Sequence, residues 1–314
     1  MSTRPLRLGT RKSPMAMVQS GRVASLVTEQ TGATVELVGL TTFGDATRAE
    51  LTQIGGTGVF VSALRESLLA GEIDFAVHSL KDLPVGLVPG IALAAVPSRE
   101  DPRDALVGRD GAKLADLPPG SRIGTGSPRR AAQLLLLRPD VRPVPVRGNA
   151  GTRLGKVEYG EVDAVLLAYA GLARIGRLDV VTQVFELDEM VPAPGQGALA
   201  VECLDRDQDL VDLLACVDKP ASRAAVTAER SLLAALQAGC SAPVGAYAAG
   251  TEMLQLRAVV AGADGGSAIR ASAGAPVGEA GRLGGEVAAE LLRRGAGRYI
   301  AMSSDYMSSG DDTQ

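Results

Sequence analysis

"RIGTGSPRRAAQLLLLR", Arg122–Arg138, joins a short strand, a glycine-threonine turn, a Ser-Pro pair and a helical run. Ser127 reads as a helix N-cap and Pro128 as the first helical residue, where the N–H that proline lacks has no intrahelical partner. The same order of signals opens the chain in "RLGTRKSPMAM", Arg7–Met17. There a strand over Leu6–Gly9 leads through Gly9-Thr10 to Ser13-Pro14 and a helix whose small and apolar positions Met17, Gly21, Ala24 and Val27 lie along one stripe. A second echo follows in the same order: Gly71-Glu72-Ile73-Asp74 precedes one strand and Gly160-Glu161-Val162-Asp163 another. Two ordered echoes predict two similar α/β lobes.

Strands alternate with helices through both lobes, the α/β signature. In the first, strands at Val35–Leu40 and Ile73–Ser79 flank the helix "VFVSALRESLLAG", ended by Gly71. In the second, "VRPVPV", a helix near Thr152–Val157 and a strand over Asp163–Ala168 follow the quoted stretch. "MVPAPGQG", Met190–Gly197, reads as a hinge running into the apolar strand "ALAVEC". Beyond Lys219-Pro220 a third style begins: a helix from Ser222 to Ala238 closed by Gly239, alternating strands around Ala246 and "LQLRAVV", a hairpin signal at "GADGGS", and a helix around Val287–Arg294. These make a separate small α+β domain over 219–300, and the polar tail 301–314 is expected to be disordered.

A chain of 314 residues with 46% hydrophobic and 22% charged residues is an ordinary globular composition, neither disordered nor membrane-embedded. No apolar run reaches the ~18 residues of a membrane helix, and "MSTRPLRLGTRKSP" lacks the apolar core of a signal peptide, so a cytoplasmic address is expected. Three cysteines at irregular spacings with a single histidine, His78, argue against a disulfide framework or a zinc site. A net charge of −4 argues against a general nucleic-acid surface, yet arginines gather at Arg122, Arg129, Arg130, Arg138, Arg142, Arg147 and Arg153. Such a cluster fits a local anion site.

Helix N-termini attract anions, and both Ser-Pro starts carry basic neighbours, Arg11 and Lys12 at one and Arg129 and Arg130 at the other. In α/β sheets ligands sit beyond the carboxyl ends of the strands, where "GTRKSP", "HSLKDLP", "GTGSPRR" and "VRGNAGTR" all fall. Two facing lobes would form a cleft lined by these loops. Arg147 and Arg153 flank "GNAGT" and can offer two forks for bidentate carboxylate binding, or stand as solvated surface arginines. Asp82, beside Lys81 in "AVHSLKDLP", can stabilise a developing cation or pass a proton, or simply cap an exposed turn before Pro84. Taken alone, Cys240 in "LQAGCSAPVGAY" reads as a buried filler thiol, since few such thiols are ionised at neutral pH. Cys203 in its apolar strand and Cys216 at a helix end read as inert.

The motifs "RLGTRKSPMAMVQ", "FAVHSLKDLPV", "EDPRDA", "GTGSPRRAAQL", "VRGNAGTRL", "LAYAGLARIG", "PAPGQGALAVEC" and "GCSAPVGAY" occur in one order along the chain. In that order they resemble the porphobilinogen deaminase (hydroxymethylbilane synthase) family, from about Leu6 to Ile300. The resemblance implies two lobes like periplasmic binding proteins joined by hinge strands, with 1–97 and 198–216 forming the first, 101–191 the second, and 219–300 attaching the cofactor. It implies a transferase that joins four molecules of porphobilinogen head to tail, releasing ammonia, on a dipyrromethane cofactor, one per chain, held by a thioether to Cys240. Asp82 corresponds to the aspartate that stabilises the cationic azafulvene formed as ammonia leaves. Ser13, Lys81, Thr125, Ser127, Arg129, Arg130, Arg147 and Arg153 correspond to groups holding the cofactor's acetate and propionate arms. Arg11 and Arg174 correspond to arginines of the incoming substrate and of elongation. No metal, nucleic acid or membrane is implied, and a monomer is expected.

Two departures stand out. "TQIGGTGVF" has Gln53 and Thr57 where relatives often place lysines, and Gly126 and Pro128 replace the commoner serine and leucine. A solute-binding protein is the competing class. It accounts for the echoed lobes and the arginines but leaves the Cys240 loop unexplained, and it calls for an export signal.

Overall fold

The structure is a computed structural model that describes residues 4–40, 58–86, 88–239 and 242–300. Gln53, Thr57, Cys240 and the tail 301–314 lie outside the described residues. The strands are β1 (Leu6–Arg11), β2 (Val35–Leu40), β3 (Phe75–Ser79), β4 (Ile91–Ala95), β5 (Asp104–Gly108), β6 (Arg122–Gly124), β7 (Arg142–Val144), β8 (Ala164–Ala168), β9 (Gln183–Val184), β10 (Leu199–Leu204), β11 (Val244–Ala249), β12 (Met253–Ala261) and β13 (Ala268–Pro276). They form three sheets, ordered β2-β1-β3-β10-β4, β7-β6-β8-β5-β9 and β11-β12-β13.

The first two sheets share one topology. β1 runs parallel to β2 and β3, and β10 lies antiparallel between β3 and β4. Likewise β6 runs parallel to β7 and β8, and β5 lies antiparallel between β8 and β9. The chain divides into two compact units, Met1–Glu100 with Gly197–Arg223 and Asp101–Gln196 with Ala224–Gln314. The first unit contains the first sheet, completed by the apolar strand β10, and the second contains the other two.

The Gly-Glu-x-Asp echo is a repeated piece of stereochemistry. Gly71 takes φ 70° and Gly160 φ 74°, the left-handed conformation that ends helices at least cost on glycine. Glu72 N–H then bonds Ser67 O at 3.0 Å, and Glu161 N–H bonds Lys156 O at 2.9 Å, closing the helices Gly58–Leu69 and Ala150–Glu158 alike. Ile73 and Val162 are buried, and the aspartates that follow fasten the next strand to its neighbour. Asp74 Oδ2 accepts Arg7 N–H at 2.7 Å and Asp163 Oδ2 accepts Arg122 N–H at 2.7 Å. The echo therefore fixes where each central strand begins.

Each of these sheets is covered on both faces. Leu8, Phe75, Val77, Val201 and Cys203 belong to one core of the first sheet with Val23 and Val27 of the helix Pro14–Thr31, while Ile73 and Ala76 form another with Leu64 and Leu68. The third sheet buries alternate residues Leu254, Leu256 and Ala258 of β12, and the helix Ala280–Arg293 packs on that sheet with Leu283, Val287 and Leu291 inside. Burying such a side chain fully contributes roughly 1.5–3 kcal/mol. Among the described residues no helix is long and apolar enough to cross a membrane.

One local expectation is corrected. The helix read as ending at Ala238 under a Gly239 cap runs over Pro220–Ala235. It closes with Gln237 at φ 51°, Gln237 N–H on Ala234 O at 2.9 Å and Ala238 N–H on Leu233 O at 3.1 Å. The flanking Leu236 and Ala238 are buried, so their packing places a β-carbon where glycine is preferred. Gln237→Gly is expected to stabilise the protein by about 1 kcal/mol in denaturant unfolding. A loss of stability would show that Gln237 is not strained.

Candidate functional site

In the first unit, Asp82 stands in a single tight turn, Leu80–Asp82, at the end of β3. The turn is built from both sides. Leu80 N–H bonds Ala198 O at 3.0 Å, Leu83 N–H bonds Leu80 O at 3.1 Å, and Leu80 and Leu83 are buried. Gln19 Nε2 donates to Ser79 Oγ at 2.9 Å, tying the strand end to the helix Pro14–Thr31. Asp82 and Lys81 are half-buried, and among the described residues the Asp82 carboxylate has no hydrogen-bond or ion-pair partner. A rigid turn thus presents an uncommitted carboxylate.

Behind the turn lies a buried ion pair that sequence reading missed. Arg65 donates to both oxygens of Glu202, at 2.9 and 2.6 Å, and His78 Nε2 lies 3.2 Å from Glu202 Oε2. Burial pushes the Glu202 carboxyl up, but His78 and Arg65 outweigh it and bring its pKa down to about 2. A depressed carboxylate contributes stability above its unfolded pKa, and that contribution is lost as pH falls from about 4.5 toward about 2. Glu202→Gln should therefore be less stable at pH 7 and show a flatter acid-unfolding curve across that window, converging on the parent near pH 2. Parallel curves for parent and variant would refute this role. Burial also pushes the Cys203 thiol up to about 11, in keeping with an inert residue.

Arg11 ends β1 and is half-buried. Ser13 caps the helix after it, its Oγ accepting Ala16 N–H at 3.3 Å. The cap reading of Ser13 is thus correct as local structure, and its hydroxyl proton remains a donor.

In the second unit, the loops after β6 and β7 run side by side: Thr125 N–H bonds Val144 O at 2.9 Å. A β-carbon on Gly126 would stand 2.9 Å from Val146 O, so the glycine permits this close approach. Thr125 is buried, with its Oγ1 accepting Ser127 N–H at 3.2 Å. Ser127 Oγ in turn caps the helix Pro128–Leu137 by accepting Arg130 N–H at 3.4 Å. Asn149 caps the helix Ala150–Glu158 by accepting Thr152 N–H at 2.9 Å. Arg147 is exposed beside this start, and Arg153 Nε donates to Gly148 O at 2.8 Å. Arg174 is buried at the end of the short helix that follows β8.

Arg129 and Arg130 are buried, which sequence reading did not foresee. Arg129 Nη1 donates to Asp104 Oδ2 at 2.7 Å and to Val191 O at 2.8 Å. Arg130 Nε donates to Asp104 Oδ1 at 2.9 Å, and its Nη1 to Leu166 O at 3.1 Å. Gln196 Nε2 reaches Asp104 Oδ1 at 2.8 Å, and Gln133 exchanges two hydrogen bonds with the Val191 backbone. Desolvation raises the fully buried Asp104 carboxyl, yet the two guanidinium groups hold it far below the usual carboxylate range. The network anchors "MVPAPGQG" to the helix carrying the arginines. Glu229 adds a second anchor, accepting Gly195 N–H at 2.6 Å and Ala248 N–H at 2.8 Å. Asp104 lies inside the quoted "EDPRDA", but nothing in its spacing signals a buried counter-ion.

Comparison with known proteins gives two family matches. Residues 6–212 match the family model described as "Porphobilinogen deaminase, dipyromethane cofactor binding domain", and residues 223–293 match "Porphobilinogen deaminase, C-terminal domain". The chain is similar to a porphobilinogen deaminase of Thermobifida fusca, 60% identical over 311 residues that cover 96% of this chain and 97% of that one. It is also similar to porphobilinogen deaminase 1 of Streptomyces coelicolor, 56% identical over 310 residues that cover 94% and 97%. Among solved structures, a periplasmic substrate-binding protein of an ABC transporter from Coxiella burnetii is 15% identical, covering 68% of this chain and 92% of that one with a TM-score of 0.43.

Proposed function

The chain belongs to the porphobilinogen deaminase family, and on that premise we propose that Asp82 is its catalytic carboxylate and Cys240 the residue that tethers its cofactor. The reaction joins four porphobilinogen molecules head to tail with release of ammonia on a covalently bound dipyrromethane primer, and hydrolysis frees hydroxymethylbilane. The observation that carries the assignment of Asp82 is its carboxylate, held on a locked turn and uncommitted to any partner among the described residues.

A carboxylate suits the chemistry. As the C–N bond of porphobilinogen's aminomethyl group breaks, positive charge spreads over the pyrrole, and a fixed negative group stabilises it while accepting the ring N–H. Partial burial strengthens that interaction, and the locked turn avoids reorganisation. When bound, the dipyrromethane supplies the free pyrrole carbon to which the first unit is added.

The second unit fits a ligand rich in carboxylates. Arg129 and Arg130 carry two charges against the one of Asp104, and Arg129 Nε is buried without a partner among the described residues. With Thr125, Ser127, Arg147 and Arg153 they would hold acetate and propionate arms. Ser13 and Lys81 do the same from the first unit, and Arg11 and Arg174 serve the incoming substrate and elongation. The domains are 1–97 with 198–216, 101–191, and 219–300. The enzyme acts as a monomer in the cytoplasm, without nucleic acid or membrane; the net charge of −4 supports the part of this reading that concerns nucleic acid.

The test is stoichiometry. Purified protein given porphobilinogen should release one ammonia per molecule consumed and yield one linear tetrapyrrole per four. Binding without ammonia release would instead favour a solute-binding protein.

A further inference from the structure

Two guanidinium groups and one carboxylate are buried together in the second unit, on Arg129, Arg130 and Asp104. Asp104 divides its oxygens between them, Oδ2 to Arg129 at 2.7 Å and Oδ1 to Arg130 at 2.9 Å. Gln196, which also reaches Oδ1, is neutral. The cluster therefore carries one net positive charge where desolvation makes an unbalanced charge costly. Arg129 Nε is a buried donor left over, with no acceptor among the described residues. An excess charge on the cluster and a spare donor on Arg129 both call for an anion, and charge balance calls for one carboxylate.

We propose that Asp104 is a positioning residue for the cofactor: it fixes Arg129 and Arg130 and cancels one of their charges, so that a single dipyrrole carboxylate completes the cluster. This rests on the cofactor-binding role proposed above for the two arginines. Its physical content is a coupling. Removing the charge of Asp104 strands both guanidinium groups in the unloaded chain, whereas in the loaded chain the ligand carboxylate still balances one of them. A counter-ion that served the fold alone would cost the same in both states.

Four proteins measure the coupling: the parent, Asp104→Asn, Cys240→Ser and the double variant, each followed by intact mass and thermal unfolding. Asp104→Asn is expected to lower Tm by on the order of 10 °C in the unloaded Cys240→Ser background and by about half that in the loaded chain. Equal losses in the two states would overturn the proposal. If Asp104→Asn does not load, propionate serves as the probe on the Cys240→Ser chains. It should raise Tm more when Asp104 is Asn, and equal rises would overturn the proposal. A parent without a dipyrrole-sized adduct removes the cofactor reading and this inference together; an adduct with equal Tm losses removes only the inference.

Discussion

Asp82→Asn is expected to keep the primer attached and to cut turnover by roughly 10²–10⁴-fold. Asparagine preserves the size of the side chain and one acceptor oxygen while removing its charge, so the variant asks whether the reaction needs the charge. The turn itself should survive, because Leu80 and Leu83 hold it through backbone bonds and buried side chains, and the Asp82 carboxylate has no partner among the described residues to lose. Unchanged thermal stability with slow ammonia release in single turnover is the expected pair of results. Parent-like turnover would remove Asp82 from the chemistry, and a large fall in Tm would recast it as a structural residue.

Cys240→Ser is expected to reduce turnover to background while leaving the fold intact. A catalytic nucleophile used in every cycle needs a depressed pKa, but a tether forms its bond once, so an ordinary thiol with only a few per cent thiolate is adequate. A serine hydroxyl, far less nucleophilic without an adjacent base, is not. Unloaded protein should accordingly unfold at a lower temperature than the parent, because a ligand bound only to the folded state stabilises it. Turnover near the parent's level would mean that the primer need not be covalently held.

The two lobes were legible because their signals are local. Ser13-Pro14 and Ser127-Pro128 do cap helices, and Gly71 and Gly160 do end them, since capping and left-handed glycine depend on neighbours within one turn of chain. The exact end of the helix before Cys240 was misplaced because buried Leu236 and Ala238 overrode the preference for glycine. Arg129 and Arg130 were legible as basic residues at a helix start, but their burial against Asp104 was not, because that contact spans about 25 residues of chain. Glu202 was invisible for the same reason: it reads as the polar position of a strand until Arg65 arrives from 137 residues away. The place of β10 in the first sheet came only from the family resemblance, as an apolar strand carries no mark of its partners.

The central claim is that Cys240 holds a dipyrrole from which the product is grown. Intact mass of the purified, untreated protein tests it most directly. A species heavier than the chain by one dipyrromethane, absent from Cys240→Ser and unchanged in Asp82→Asn, is the predicted result. An unmodified chain that nonetheless converts porphobilinogen to a linear tetrapyrrole, or an adduct that persists in Cys240→Ser, would contradict it.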